Sequence, residues 1–215
     1  NPGRSSYGSM ELLKEYVNDP LNLTVAQEAY LLKELAEKYA ENLAEQNLEH
    51  LLYRIEQPLS LVLAEMEKTG IAVDQTLLVE YEQELENKIL QLEKEIYELA
   101  GSKFNINSPQ QLGKVLFEDL GLPPLKKTKT GYSTDAETLE ELHSEHPIIE
   151  KILEYRLLVK LNSTYVKGIL SQLVEGKIHT TYQQTVTATG RLSSVEPNLQ
   201  NIPIRMEEGR KLRKI

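Results

Sequence analysis

The side chains best suited to bind a ligand lie between positions 187 and 203. Arg191 directly follows Gly190, and short hydroxyl and amide side chains come soon after it. These are Ser193, Ser194, Asn198, Gln200 and Asn201. Arginine and the amides suit hydrogen bonds to nucleic-acid base edges and minor-groove acceptors, whereas serine hydroxyls and backbone N–H groups suit phosphate. The same amides could instead cap the turns of their own loop. The residue types alone leave both alternatives open.

Charge is distributed unevenly along the chain. The 215 residues carry a net charge of −9, which argues against a polyanionic partner. Residues 1–100 hold 8 Lys/Arg and 20 Asp/Glu, however, whereas residues 101–215 hold 16 Lys/Arg and 13 Asp/Glu. Basic residues cluster at 126–129 and at 205–214. This asymmetry predicts that nucleic acid would be met by the second half only. Solvated helix faces and one basic loop would explain the same counts.

Several classes of site are excluded or disfavoured by composition. The chain has no cysteine, so it has neither a disulfide framework nor a cysteine-ligated zinc site, and a reducing compartment is favoured. No apolar run approaches the roughly 20 residues of a membrane helix. Apart from the pair at 143 and 146, which flanks a predicted helix break, the four histidines lack the spacing of metal ligands, and all four are interpreted as structural or surface residues. They are His50, His143, His146 and His179.

The elements that must position these side chains are mainly helical. Apolar spacing predicts one helix from Val25 to about Gln46 and another from about Leu48 to Gly70, which Pro58 should kink or divide. Asp74 is a suitable N-cap for a helix of about 25 residues with a narrow apolar seam. A narrow seam needs a partner, and residues 147–173 carry a matching stripe. The spacing therefore predicts a long antiparallel helix pair.

The segment between the two long helices predicts a small helical tip. Ser108 is a suitable N-cap for a short helix, and residues 134–137 have the form of a capping box that starts another with Thr134 as its cap. Residues 126–133 are predicted as an exposed basic loop, and residues 177–186 as a single strand. The fold class is therefore mainly α: a long antiparallel helix pair with a small helical tip, followed by the first β-strand of an α+β domain.

Two adjacent segments carry a resemblance to a known family. Residues 187–194, Thr-Ala-Thr-Gly-Arg-Leu-Ser-Ser, and residues 197–203, Pro-Asn-Leu-Gln-Asn-Ile-Pro, are similar to the DNA-contacting motif of bacterial family A DNA polymerases. The resemblance continues at 104–109, 126–134, 155–165 and 205–210. It implies three parts: residues 1–47 as the last helices of a 3′–5′ exonuclease-like domain, 48–176 as the thumb with its tip at about 101–146, and 177–215 as the start of the palm.

The resemblance also implies a role for individual residues. Arg191 would lie in the minor groove at the primer terminus and check base-pair geometry, with Asn198 and Gln200 on the template side or nearby sugar edges. Arg205 would support phosphate or an adjacent palm loop. The expected phosphate contacts are Arg156, Lys160, Ser163, Thr164, Asn105, Asn107, Ser108, Ser133, Thr134, Ser193 and Ser194. Lys127 and Lys129 would add non-specific attraction.

The resemblance implies an incomplete active site. Family A polymerases transfer a nucleotide with two metal ions held by palm aspartates, and the first of these is expected downstream of Ile215. No catalytic or metal-binding residue is therefore assigned here, and Mg²⁺ and deoxynucleoside triphosphate are expected only in the complete polymerase. The chain is expected to be part of a longer, monomeric, cytoplasmic and nucleoid-associated bacterial protein, to bind primer–template duplex, and to be inactive alone. The alternative is a helical protein-interaction scaffold without DNA binding.

Overall fold

The computed structural model describes residues 8, 12–13, 23–128, 131–204 and 206–215. The chain folds into two compact units. The first comprises residues 1–70 and 179–200, and the second comprises residues 71–178 and 201–215. Arg205 and Lys129 lie outside the described residues, as does the side chain of Lys127.

Helices form most of the first unit. Helix α1 (Val25–Glu45) begins at Thr24, whose side chain and that of Gln27 form a capping box. After α2 (Glu49–Leu51), a π-helical turn π1 (Leu52–Glu56) leads directly into α3 (Gln57–Thr69). Pro58 lies in the first turn of α3, directly after π1. It marks the junction between two helical pieces, one of the two predicted alternatives.

A β-hairpin packs on these helices within the first unit. Strands β5 (Thr181–Gln183) and β6 (Ser193–Val195) are antiparallel, with Tyr182 opposite Ser194. The Glu67 carboxylate of α3 accepts a hydrogen bond from the backbone N–H of Tyr182 at 2.7 Å. Gln184 donates to the backbone carbonyl and the carboxylate of Glu56 at 3.0 and 2.9 Å. These bonds fix the hairpin that carries residues 184–192.

The prediction of one strand over residues 177–186 is wrong. Strand β4 (Lys177–Ile178) pairs with β1 (Ile71–Ala72) in the second unit, whereas β5 pairs with β6 in the first. Between β4 and β5, the buried hydroxyl of Thr180 donates to the carbonyls of Val195 and Pro197 at 3.0 and 2.8 Å. The change of pairing partner is a tertiary property that local alternation cannot predict.

The predicted antiparallel helix pair forms the core of the second unit. Helix α4 (Gln75–Ala100) begins at Asp74, which accepts from the N–H of Leu77 at 3.1 Å. Its buried seam is Leu78, Tyr81, Leu85, Leu92 and Ile96. The partner consists of α7 (Ile148–Lys160), the π-helical turn π3 (Leu161–Val166) and α8 (Lys167–Ser171). Lys151 pairs with Glu95 at 2.9 Å, and Lys167 pairs with Glu86 at 3.0 Å. The two ion pairs show that the helices run in opposite directions.

The tip, residues 101–147 between α4 and α7, contains both predicted helices and one hairpin. Helix α5 (Pro109–Lys114) continues into the π-helical turn π2 (Val115–Asp119), and α6 (Ala136–Glu141) follows later. Strands β2 (Lys127–Thr128) and β3 (Gly131–Tyr132) are antiparallel. The Tyr132 ring packs on Phe117, with centroids 5.0 Å apart. Within the predicted loop at 126–133, residues 127–128 and 131–132 therefore form two paired strands, and Tyr132 packs on the tip core.

The predicted capping box at residues 134–137 is also wrong by one residue. The N-cap of α6 is Asp135, whose carboxylate accepts from the N–H of Thr138 at 2.8 Å. Thr134 is buried and its side chain is held by Arg156, so it is not available as the cap.

The last helix completes the second unit. Helix α9 (Glu207–Leu212) buries Leu212, and the backbone carbonyl of Ile215 accepts from the N–H of Asp74 at 3.1 Å. Within the described residues, no helix combines the length and the apolar character needed to cross a membrane.

Candidate nucleic-acid interface

Arg191 lies in the connection between β5 and β6 of the first unit and is exposed. Gly190 before it has φ +73°, a conformation that residues with a Cβ rarely adopt. The Thr187 hydroxyl donates to the backbone carbonyl of Arg191. The backbone at Arg191 is therefore fixed by its own loop, while its side chain faces solvent.

The turn after β6 is closed by two side chains from the predicted site. The Oγ atom of Ser194, a residue only 1% exposed, accepts from the N–H of Leu199 at 3.2 Å. The Gln200 side chain donates to the carbonyl of Leu192 at 3.0 Å. Ser194 and Gln200 thus each take part in one hydrogen bond within their own loop. Asn198 remains exposed, and Ser193 is partly buried.

Five of the predicted phosphate ligands meet in one groove of the second unit. The volume of the groove is about 1550 Å³. The five residues come from three separate segments of the chain. The five are Asn107, Ser108, Ser133, Thr134 and Arg156. Gln111 and Lys114 also line the groove, although the sequence reasoning did not select them. Their spacing of three and six residues from Ser108 is the helical signal that would have identified them.

The groove wall at Ser133 and Asp135 is a local hydrogen-bond network. The Ser133 hydroxyl donates to the Asp135 carboxylate at 2.6 Å, and the Thr138 N–H donates to it at 2.8 Å. The Ser133 hydroxyl and the Thr138 N–H lower the pKa of Asp135 to about 2, so it is ionised at neutral pH. Ser133 and Thr134 are each 5% exposed. The groove therefore presents them mainly as part of a fixed wall.

Arg156 connects α7 to that wall. Its Nη1 donates to the backbone carbonyl of Thr134, and its Nη2 donates to the Thr134 hydroxyl at 3.3 Å. Burial lowers the pKa of the Arg156 guanidinium, and the charge of Asp135 opposes this effect. A guanidinium has five N–H donors, so these two bonds leave others directed elsewhere.

An asparagine-rich turn contributes Asn107 and Ser108 to the groove. The Asn105 side chain accepts from the N–H of Asn107 at 3.0 Å, and Ser108 accepts from the N–H of Gln111 at 3.4 Å. The Asn107 amide donates to the Tyr155 hydroxyl at 3.4 Å. These bonds orient the turn that precedes α5 and direct part of it into the groove.

Further along α7, the predicted residues are displayed to solvent. Lys160 lies one helical turn beyond Arg156, and Ser163 and Thr164 follow on π3; all three are exposed. No salt bridge involves Lys160 among the described residues. Asn162, between them in the chain, is buried, and its Oδ1 has no hydrogen-bond partner.

The described part of the chain offers no donor set for a metal ion. No group of three or more His, Asp or Glu side chains comes together there. His146 accepts from the N–H of Ile148 at 3.2 Å, and His179 contacts the carbonyl of Glu67 at 2.7 Å. Both histidines are thus used in local structure.

Comparison with known proteins identifies the family. The family model described as "DNA polymerase family A" matches residues 75–215. This chain belongs to DNA polymerase family A. The family A chain is 56% identical to DNA polymerase I of Lactococcus lactis subsp. cremoris (strain MG1363) over 191 residues, which is 88% of this chain and 22% of that protein. It is 48% identical to DNA polymerase I of Caldicellulosiruptor bescii over 218 residues, which is 99% of this chain and 26% of that protein.

A solved structure agrees with this family assignment. The POL domain of Pol1 from M. smegmatis, in complex with DNA primer-template and dNTP, superimposes with a TM-score of 0.89 at 42% identity. The match covers 99% of this family A chain and 38% of the other. The chain spans about a quarter or less of the length of the curated relatives described above.

Proposed function

We propose that this chain is the part of a DNA-directed DNA polymerase that holds the primer–template duplex and tests the geometry of the primer terminus. The observation that carries the proposal is the groove in which Asn107, Ser108 and Arg156 converge with the Ser133–Thr134 wall. Amide, hydroxyl and guanidinium donors are the groups that bind phosphate without reading sequence. The groove lies in the second unit, and the residues that line it fall between 107 and 156, within the segment that we propose as the thumb.

Phosphate binding would be shared between neutral and charged donors. Lys114 and Arg156 bring positive charge to the groove, whereas Glu118 and Asp135 bring negative charge. Lys160, Ser163 and Thr164 would extend the contact along the duplex, with Lys127 and Lys129 adding attraction. Ser133 and Thr134 would act mainly by holding the wall in place. Such binding is independent of sequence and weakens as salt rises, because bound counterions are released.

The first unit would supply the minor-groove contacts. Arg191, Asn198 and Gln200 are exposed on the β5–β6 connection and the turn that follows. Every correct base pair presents acceptors in the minor groove, so an arginine there tests geometry and not sequence. Ser193 and Ser194 would stabilise this segment, and Arg205 would support phosphate or the adjacent backbone.

The chemical step is proposed to depend on other parts of the polymerase. Mg²⁺ would supply charge stabilisation in nucleotide transfer, and the described residues bring together no group of three or more His, Asp or Glu side chains that could hold it. We propose that the chain binds primer–template DNA without extending it. We further propose residues 1–47 as exonuclease-like, 48–176 as thumb and 177–215 as early palm, in a monomeric polymerase of the bacterial cytoplasm and nucleoid.

A second function is favoured by the apolar surface of the first unit. Val25, Tyr30 and Leu61 are 84%, 62% and 72% exposed. Where such side chains form a contiguous patch, they mark a surface that contacts another protein or domain. A helical protein-interaction scaffold would use this surface and would not require Arg191 or Lys160.

The two functions are separated by one pair of variants. Arg191→Ala combined with Lys160→Ala should weaken binding of a labelled primer–template by about tenfold or more in fluorescence anisotropy. Lys33→Ala combined with Arg54→Ala removes the same charge from exposed positions of the first unit and should leave affinity nearly unchanged. Equal affinity of both double variants, or no binding by the unmodified chain, would contradict the DNA-binding proposal.

A further inference from the structure

Residues 201–203, which end the 187–203 segment, belong to the second unit, and each contacts another residue of that unit. The Tyr165 hydroxyl donates to the carbonyl of Asn201 at 2.5 Å. Arg213 donates from Nη2 to the carbonyl of Ile202 at 2.9 Å. Gly209 packs against Pro203, since a Cβ at position 209 would overlap the Pro203 carbonyl. We call Tyr165, Gly209 and Arg213 the backbone clamp.

The clamp is itself fixed by α4. The Tyr81 hydroxyl donates to the carbonyl of Glu208 at 2.8 Å, and the Lys211 ammonium lies 5.1 Å from the Tyr81 ring centroid. Lys211 also pairs with Glu84. These contacts hold α9, which carries Gly209 and precedes Arg213, on the long helix pair.

Tyr165 differs from the other members of the clamp because it lies next to proposed phosphate ligands. It follows Ser163 and Thr164 on π3. Tyr165 is buried, at 7% exposure, whereas Ser163 and Thr164 are exposed to solvent. Such π-helical turns are frequent at functional sites. One short turn of the chain therefore presents two hydroxyls to solvent and a third hydroxyl to the backbone of Asn201.

We propose that Tyr165 is a positioning residue for primer-terminus discrimination. Its hydroxyl fixes the backbone carbonyl of Asn201, the residue covalently attached to Gln200. The inference rests on the proposed function, because minor-groove contacts that test base-pair geometry require a fixed backbone. The Tyr165 hydrogen bond would help to fix it. Contacts that test geometry lose selectivity when their backbone is free to move.

Tyr165→Phe tests this inference because it removes one hydroxyl and keeps the packed ring. Hydrogen exchange by mass spectrometry of the chain should be faster by about two- to tenfold in peptides covering residues 196–206, as expected when one net hydrogen bond is lost. The ratio of affinities for matched and mismatched primer termini should fall by about threefold or more, while affinity for internal duplex changes less than about twofold.

A matched control removes a similar hydroxyl elsewhere in the second unit. The Tyr97 hydroxyl lies 2.6 Å from the Glu93 carboxylate and 3.0 Å from the carbonyl of Phe104, and Tyr97 lies outside the clamp. Tyr97→Phe should leave the exchange of residues 196–206 and the mismatch ratio unchanged. If Tyr165→Phe behaves like this control in either measurement while the unmodified chain binds primer–template, the positioning role is wrong and the proposed function stands. If the unmodified chain does not bind primer–template, both are wrong.

Discussion

Arg156 on α7 donates hydrogen bonds from both terminal nitrogens to Thr134 of the tip, one to its backbone carbonyl and one to its hydroxyl. The residue before the N-cap of α6 is thereby tied to the second long helix. An arginine whose type and position favour a phosphate contact therefore has a structural task as well. Arg156 and its neighbour Lys160 are one turn apart, but only Arg156 is built into the tip.

This difference predicts that two alanine substitutions change the free energy of unfolding by unequal amounts. Arg156→Ala should lower the free energy of unfolding of the chain by about 1–3 kcal/mol, because part-buried acceptors at Thr134 lose a charged donor. Lys160→Ala should change it by less than about 0.5 kcal/mol. Urea unfolding followed by circular dichroism measures both. Equal losses in the two variants would show that the Thr134 contact does not stabilise the tip.

Substitution by alanine is expected to change stability in opposite directions at Gly209 and Gly168. Both are helical glycines, but a Cβ at Gly209 would overlap the Pro203 carbonyl, whereas a Cβ at Gly168 meets no atom within 4 Å. Gly209→Ala should cost about 1–3 kcal/mol through overpacking. Gly168→Ala should gain about 0.5–1 kcal/mol, since alanine loses less backbone entropy in a helix. Thermal unfolding decides the matter: a stabilised Gly209→Ala variant would contradict the close packing of α9 on Pro203.

The pKa of Asp135 predicts a pH-dependent part of the stability. Its folded pKa of about 2 lies below the ordinary 3.8, so its stabilising contribution is fully present above about pH 4 and is lost as pH falls through about 2. The difference in unfolding midpoint between the chain and Asp135→Asn should therefore shrink between pH 4 and pH 2. Urea unfolding at several pH values tests this. A difference that stays constant over that range would mean that the Ser133 and Thr138 contacts do not favour the carboxylate.

The helical framework was predictable because its signals are local. The seam of α4 from Leu78 to Ile96 and the caps at Asp74 and Ser108 depend on residues within a few positions of each other. One narrow apolar seam also required a partner helix, and residues 147–173 carried a matching apolar stripe. The antiparallel pair followed from that requirement.

The remaining features depend on contacts between distant residues. The N-cap of α6 is Asp135 and not the predicted Thr134, whose side chain is held by Arg156, 22 positions away. In the predicted loop at 126–133, residues 127–128 pair with 131–132, and Tyr132 packs on Phe117, which lies 15 positions earlier. Residue type indicated that Ser133, Thr134 and Ser194 carry hydroxyls, but it could not indicate that these hydroxyls are buried. In the same way, the clamp on residues 201–203 has no local signal.

Lys160 provides a specific test of the phosphate contacts. Lys160→Ala should weaken binding of all duplex sequences to a similar extent and reduce the slope of log affinity against log salt by about 1. Lys151→Ala, on the same helix but paired with Glu95 at 2.9 Å, is the control and should leave the slope unchanged. The same loss of slope in both variants would indicate general electrostatics and no defined contact at Lys160.

The central claim is that the chain holds duplex DNA through its phosphates. The most direct test is the affinity of the chain for primer–template, measured by anisotropy between about 50 and 200 mM salt. At about −0.9 per phosphate neutralised, at least three contacts predict a log–log slope of about −3 or steeper, with little dependence on sequence. A flat salt dependence, or no measurable binding at the lowest salt, would contradict the account.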